Sequence, residues 1–115
     1  MSNTDFNTLN VTLLFAATRL GLPEGVKVSL NLADVSQVDA PAIMLAEQTL
    51  IAARRATSFN MQLHYDSHLV DERNTYALQA RIEHQGKLLL TNTDAQTVVL
   101  DGSEGDVTML LKQVR

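Results

Sequence analysis

The chain contains no cysteine, which excludes disulfides, thiolate metal ligation and a cysteine nucleophile together and leaves no mark of redox compartment. It has no tryptophan, and aromatic residues make up only 4% of its 115 positions, so Leu, Val, Ile and Ala must build most of any core. No run of Lys or Arg occurs. The formal net charge is -4, a field that repels a phosphate backbone, so nucleic-acid binding is not expected. The apolar runs are a few residues long against the roughly 20 needed to cross a bilayer, so no membrane span is expected either. The opening residues, Met1-Ser2-Asn3-Thr4-Asp5, lack the basic flank, apolar stretch and small-residue cleavage site of an export signal, and the sequence is read as carrying none.

What is present is an ordinary globular composition, 45% apolar and 19% charged. Residues 1–115 are read as one domain with a single core, residues 1–8 forming a flexible lead-in. Leu9 to Thr18 is apolar and β-branched and ends at the breakers Gly21-Leu22-Pro23-Glu24-Gly25. Val26, Val28, Leu30 and Leu32 alternate with Lys27, Ser29 and Asn31, the pattern of a strand with one dry face. Phe59 to Leu63 and Tyr76 to Ile82 alternate in the same way. His84-Gln85-Gly86-Lys87 then makes a tight connection into Leu88-Leu89-Leu90, predicting an antiparallel hairpin. Thr97 to Leu100, the turn Asp101-Gly102-Ser103-Glu104-Gly105, and a strand through Val107, Met109 and Leu111 complete the chain.

Ile43 to Ile51 is the contested segment. Asp39 can cap a helix with Pro41 at its first position, and Ala42 to Ala56 is rich in helix formers. Against that, Ile43, Met44, Leu45, Ala46, Leu50, Ile51, Ala52 and Ala53 would cover too much of a helix surface for so small a domain, and the rest of the chain reads β. The segment is read as a strand. About seven or eight short strands with turn signals at intervals of roughly ten residues describe an antiparallel, immunoglobulin-like β-sandwich. The polar connection Leu69 to Thr75 enters its strand through Tyr76, where such folds place a corner tyrosine whose hydroxyl bonds back to the upstream backbone.

Candidate chemistry is thin, and each candidate has a plainer explanation. His64-Tyr65-Asp66-Ser67-His68 is the densest group of possible metal ligands, but a third ligand would have to come from His84 or Asp71, and a solvated loop explains it as well. Asp101, Ser103, Glu104 and Asp106 offer hard oxygens without the spacing of a calcium-binding loop, and Gly102 and Gly105 suit a turn. No serine sits in a Gly-x-Ser-x-Gly elbow, Asp71-Glu72 falls in a loop, and Gly21 and Gly25 have the wrong spacing for a phosphate loop. Arg54-Arg55, with Arg73 and Arg81, suits either an anionic contact or the guarding of a sheet edge. No catalytic, cofactor-binding or metal-binding residue is therefore assigned.

Across residues 11 to 113 the sequence resembles the YbaY/YscW family of bacterial envelope lipoproteins, whose type III secretion members are pilotins, small chaperones of the outer-membrane secretin. The likeness is carried by Leu22-Pro23-Glu24-Gly25-Val26, Leu32-Ala33-Asp34-Val35-Ser36, Asp39-Ala40-Pro41-Ala42, Leu45-Ala46-Glu47-Gln48-Thr49, Phe59-Asn60-Met61-Gln62-Leu63, Tyr65-Asp66 and Tyr76-Ala77-Leu78-Gln79-Ala80-Arg81-Ile82. The resemblance implies a β-sandwich and a non-catalytic role. It brings no catalytic residues, and Asp34, Ser36, Asp39 and Pro41, its most family-like polar and turn positions, suit a structural task. Family members begin with an export signal and a lipid-accepting cysteine at the envelope, neither of which stands in this sequence. The leading expectation is a protein-binding or chaperone module, monomeric or weakly dimeric, that needs no cofactor and takes a segment of a secretin-like or other envelope partner at a sheet edge. The alternatives are a small-ligand or carbohydrate-binding module, disfavoured by the missing tryptophan, and an enzyme, which would need His64, His68 or His84 gathered with carboxylates.

Overall fold

A computed structural model describes residues 6–16, 21–37, 39–92, 96–100 and 106–114. Eight strands run in chain order: β1 Phe6–Phe15, β2 Lys27–Asp34, β3 Ile43–Ile51, β4 Ser58–Asp66, β5 Tyr76–His84, β6 Lys87–Thr91, β7 Gln96–Val98 and β8 Val107–Gln113. A 3-10 turn, Ser67–Leu69, follows β4. Alternation accounts for the strands. In β4, Phe59, Met61, Leu63 and Tyr65 are buried while Ser58, Asn60, Gln62 and His64 face solvent. In β2, Val28, Leu30 and Leu32 have no exposed surface. Ile43–Ile51 is a strand with the expected bounds, whereas Phe6, Asn7 and Thr8, expected in a flexible lead-in, pair with β4. The predicted turn 101–105 and the end of the first predicted strand, residues 17 and 18, lie outside the described residues.

The immunoglobulin-like sandwich is corrected by the topology. The strands form one mixed sheet in the order β3-β2-β5-β6-β8-β1-β4, with β7 pairing β5 off that path. All pairs are antiparallel except β1 with β8, which run parallel. The two terminal strands, β3 and β4, come to lie against each other, so the sheet curls into a nearly closed barrel. Strand count and turn spacing are alike for two stacked sheets and for one curled sheet; only long-range pairing separates them. The inward faces of β1, β2, β4, β5 and β8 meet in one core that includes Leu13, Leu30, Leu63, Ile82 and Met109.

Local chemistry shapes the connections. Gln85 (φ 54°) and Gly86 (φ 81°) are both left-handed, the requirement of a two-residue hairpin turn whose twist suits the flanking strands β5 and β6. Gly21 is held by close approach: a Cβ there would stand 2.5 Å from the Ala56 carbonyl oxygen, beside the Leu22 to Ala56 bridge. Between β2 and β3 the register slips after Leu32, leaving Leu45 as the extra residue of a bulge, and Ile43 and Met44 beyond it are both exposed.

Candidate functional site

The residues with the best credentials for chemistry are kept apart by the fold. His64 stands on the outer face of β4 with Nδ1 3.0 Å from Thr8 Oγ1. Asp66 caps the 3-10 turn, accepting the His68 N–H at 2.9 Å, and the His68 ring lies 3.7 Å from the same carboxylate. His84 ends β5 at the far end of the barrel. Among the described residues no group of three or more His, Cys, Asp or Glu is placed to hold a metal ion. Of the acidic stretch 101–106, only Asp106 lies within the described residues. Arg54 and Arg55 are exposed in the β3–β4 connection, while Arg73 pairs with Asp71 at 2.9 Å and Arg81 with Glu83 at 3.5 Å.

One end of the barrel gathers the β2–β3 connection, the 66–75 connection and the end of β7, because Asp34, Tyr76 and Val98 are in register there. Tyr76 is buried, and its hydroxyl accepts the Asp71 N–H at 2.8 Å, the corner geometry expected from the sequence. Asp34 Oδ1 accepts the Ser36 N–H at 2.9 Å and the Ser36 hydroxyl at 2.6 Å, and Oδ2 accepts from Asn74 at 2.9 Å. Ser36 Oγ in turn accepts the Thr75 N–H at 2.7 Å. These bonds, led by the Ser36 hydroxyl, hold the Asp34 carboxyl below its ordinary value. The Arg73 side chain donates to both Asp71 oxygens, which with the Arg73 N–H lowers the Asp71 pKa to about 2. Asp34 and Ser36 therefore splice two loops, the structural task expected of them; Asp39 and Pro41 are exposed.

The second feature is the seam between β3 and β4. No strand pairing crosses it among the described residues; instead the Gln48 side-chain oxygen accepts the Gln62 N–H at 3.0 Å. Beside it, β1 and β4 carry a ladder of cross-strand polar pairs. Thr8 meets His64, Gln62 donates to Asn10 at 2.9 Å, and Thr12 donates to Asn60 at 3.0 Å. A shallow groove of about 440 Å³ runs here, lined by Asn10, Gln48, Asn60 and Gln62 with Asp106. Amide side chains both donate and accept, and so suit a peptide main chain or a neutral polar ligand.

The family model of YscW, the type III secretion system lipoprotein chaperone, matches residues 8–111. The chain belongs to the YscW family. Among solved structures it is similar to an alternative pilotin from the type II secretion system of Vibrio cholerae, at 28% identity and a TM-score of 0.83, over 96% of this chain and 98% of that one. A 9R-lipoxygenase from Cyanothece aligns at 17% identity and a TM-score of 0.39 over 16% of its chain, too weak to carry an argument. No curated protein matches.

In this YscW-family chain the features that sequence reasoning missed are the seam and the exposed apolar side chains around it. In the sequence Gln48 is marked only as part of the family pattern, because nothing there shows which amide will face the edge of a distant strand. Ile43 and Met44 are both exposed at the start of β3, before the bulge at Leu45, so alternation does not mark them.

Proposed function

We propose that this chain is a non-catalytic protein-binding chaperone of the pilotin kind, whose partner is a secretin or another envelope component. The observation that carries this reading is the match to a solved pilotin along almost the whole of both chains, together with the family itself. We further propose that an extended segment of the partner enters at the β3–β4 seam. There β3 is hydrogen-bonded to β2 on one side only, Ile43, Met44 and Ile51 are exposed along it, and one side-chain bond bridges the gap. Because β3 and β4 already lie against each other, a partner strand must first part the seam by breaking the Gln48–Gln62 bond, and then finds main-chain groups on the edge it pairs with. The small-ligand alternative has less support, because both tyrosines are buried and, among the described residues, no aromatic side chain lines the amide groove.

The test is amide chemical-shift mapping on labelled protein with peptides tiled across the secretin of the source cell. Shifts running along β3 and β4 support strand capture. Shifts confined elsewhere remove the seam but keep the partner, and no binding by any peptide or by the intact secretin removes the chaperone reading.

A further inference from the structure

Folding sorts side chains that look evenly scattered in the sequence. Among the described residues, six of the ten large exposed hydrophobics, Phe6, Val35, Ile43, Met44, Leu69 and Val99, lie at the loop end of the barrel. Isolated exposed apolar residues are normal; six converging on one end are not. The same end holds an open cavity of about 310 Å³, walled by Val70, Val98, Val99 and Leu100 over Tyr76, with Asp71, Glu72 and Asn74 on its polar side. That is the floor of the size range for small-molecule sites, roughly 300–1,000 Å³, and fits an apolar side chain better than a whole ligand. Ile43 sits two strands from Tyr76, roughly 10 Å away at ordinary strand spacing, so the cavity and the start of β3 belong to one surface.

Charge is sorted as well. At the loop end stand Asp34, Asp39, Asp66, Asp71 and Glu72 against Arg73. At the opposite end, among the described residues, Lys27, Arg54, Arg55 and Lys87 outnumber Glu24 and Glu83. The Asp71 charge is met by Arg73 and Asp34 is enclosed in its network, but Glu72 on the cavity rim and Asp39 in the β2–β3 connection face solvent. An apolar surface ringed by carboxylates selects for an apolar segment carrying cations and repels one carrying anions.

We propose that the loop end docks a basic amphipathic segment of a partner protein, one apolar side chain entering the cavity lined by Val99 and Tyr76 while flanking Lys or Arg side chains meet Glu72 and Asp39. The inference rests on the chaperone reading for the existence of a partner, and adds the surface and the chemistry that recognise it. Because Ile43 and Met44 belong to both surfaces, a segment entering the seam would continue onto this end.

The test uses the full chain with two labelled peptides, one alternating Leu and Lys and one alternating Leu and Glu, read by fluorescence anisotropy. The Leu–Lys peptide is expected to bind saturably and more weakly as salt is raised, and the Leu–Glu peptide about tenfold more weakly or not at all. Val99→Ser and Glu72→Gln, surface changes that leave the core intact, are each expected to weaken Leu–Lys binding about fivefold or more. Leu110→Ser on the outer face of β8 and Glu24→Gln at the opposite end are expected to leave it unchanged. Equal binding of the two peptides, equal losses from both pairs of variants, or no saturable binding overturns the proposal. So does concentration-dependent self-association that Val99→Ser abolishes without changing peptide affinity, which would make the occupant a second copy. With the intact secretin in the same assay the two readings separate. Binding unimpaired by Val99→Ser and Glu72→Gln overturns this inference and leaves the chaperone reading standing. A peptide that docks as expected beside a secretin that does not bind removes secretin as the partner and keeps the docking surface.

Discussion

Tyr76 shows how one polar atom can hold a loop. Its ring is in the core while its hydroxyl accepts the Asp71 N–H at 2.8 Å. Tyr76→Phe keeps the ring and strands that N–H, so a loss of about 1–2 kcal/mol is expected in urea unfolding. Asp71 itself has a folded pKa of about 2 against an ordinary 3.8, chiefly because the Arg73 side chain donates to it. A carboxyl whose pKa is depressed by folding stabilises the fold above its ordinary value and loses that contribution as pH falls through the folded one. The contribution of Asp71 is therefore expected to be complete above about pH 4 and to fade toward pH 2. Asp71→Asn should flatten the decline of Tm across that window without moving the melting profile between pH 6 and 8 by more than a constant offset. Asp34, lowered by the Ser36 hydroxyl, works in the same direction.

At the scale of elements, β3 is the instructive strand. Its composition favours a helix, with Asp39 and Pro41 well placed to start one, yet it pairs with β2 through a bulge and forms one bank of the seam. Local propensity amounts to tenths of a kcal/mol per residue and yields to a neighbouring strand that supplies a full ladder of main-chain bonds. The seam is where that ladder stops. Gln48→Leu should leave the fold intact but expose the Gln62 amide, visible as faster hydrogen exchange at Gln62 while the amides of β4 that bond β1 keep their protection. Unchanged exchange at Gln62 would mean that the seam is closed by something other than the Gln48 side chain.

At the scale of the whole molecule, one core serves the entire barrel, so damage on one strand is felt by all. Leu30 has no exposed surface and lies in the central part of β2, between β3 and β5. Leu30→Ala is expected to cost about 2–5 kcal/mol, with unfolding remaining a single transition whether followed by far-ultraviolet circular dichroism or by tyrosine fluorescence. The same closure produces a polarity among the described residues: carboxylates and exposed apolar side chains gather at the loop end, and Lys27, Arg54, Arg55 and Lys87 at the other.

Much of the fold was legible in the residues. Alternation located β2, β4 and β5, Gln85-Gly86 marked the hairpin, and a polar loop entering a strand at Tyr76 announced the corner, because these signals act over a few neighbouring positions through backbone sterics and side-chain direction. Barrel against sandwich was not legible, since turn spacing carries no information on whether β1 will find β8 in parallel or whether β3 and β4 will meet. The candidate surfaces lay further out of reach. Gln48 meets Gln62, Val99 and Val70 line one cavity, and Ile43 and Tyr76 come to flank Asp34 only through pairings between distant segments. By itself the sequence determined strand content, the inward residues, the turns and the lack of a sequence-local catalytic motif; the tertiary structure alone decided the closure of the sheet, the seam and the sorting of charge and apolar surface to one end. The division is physical: strands and turns arise from local interactions, while surfaces arise from where long-range pairing leaves them exposed.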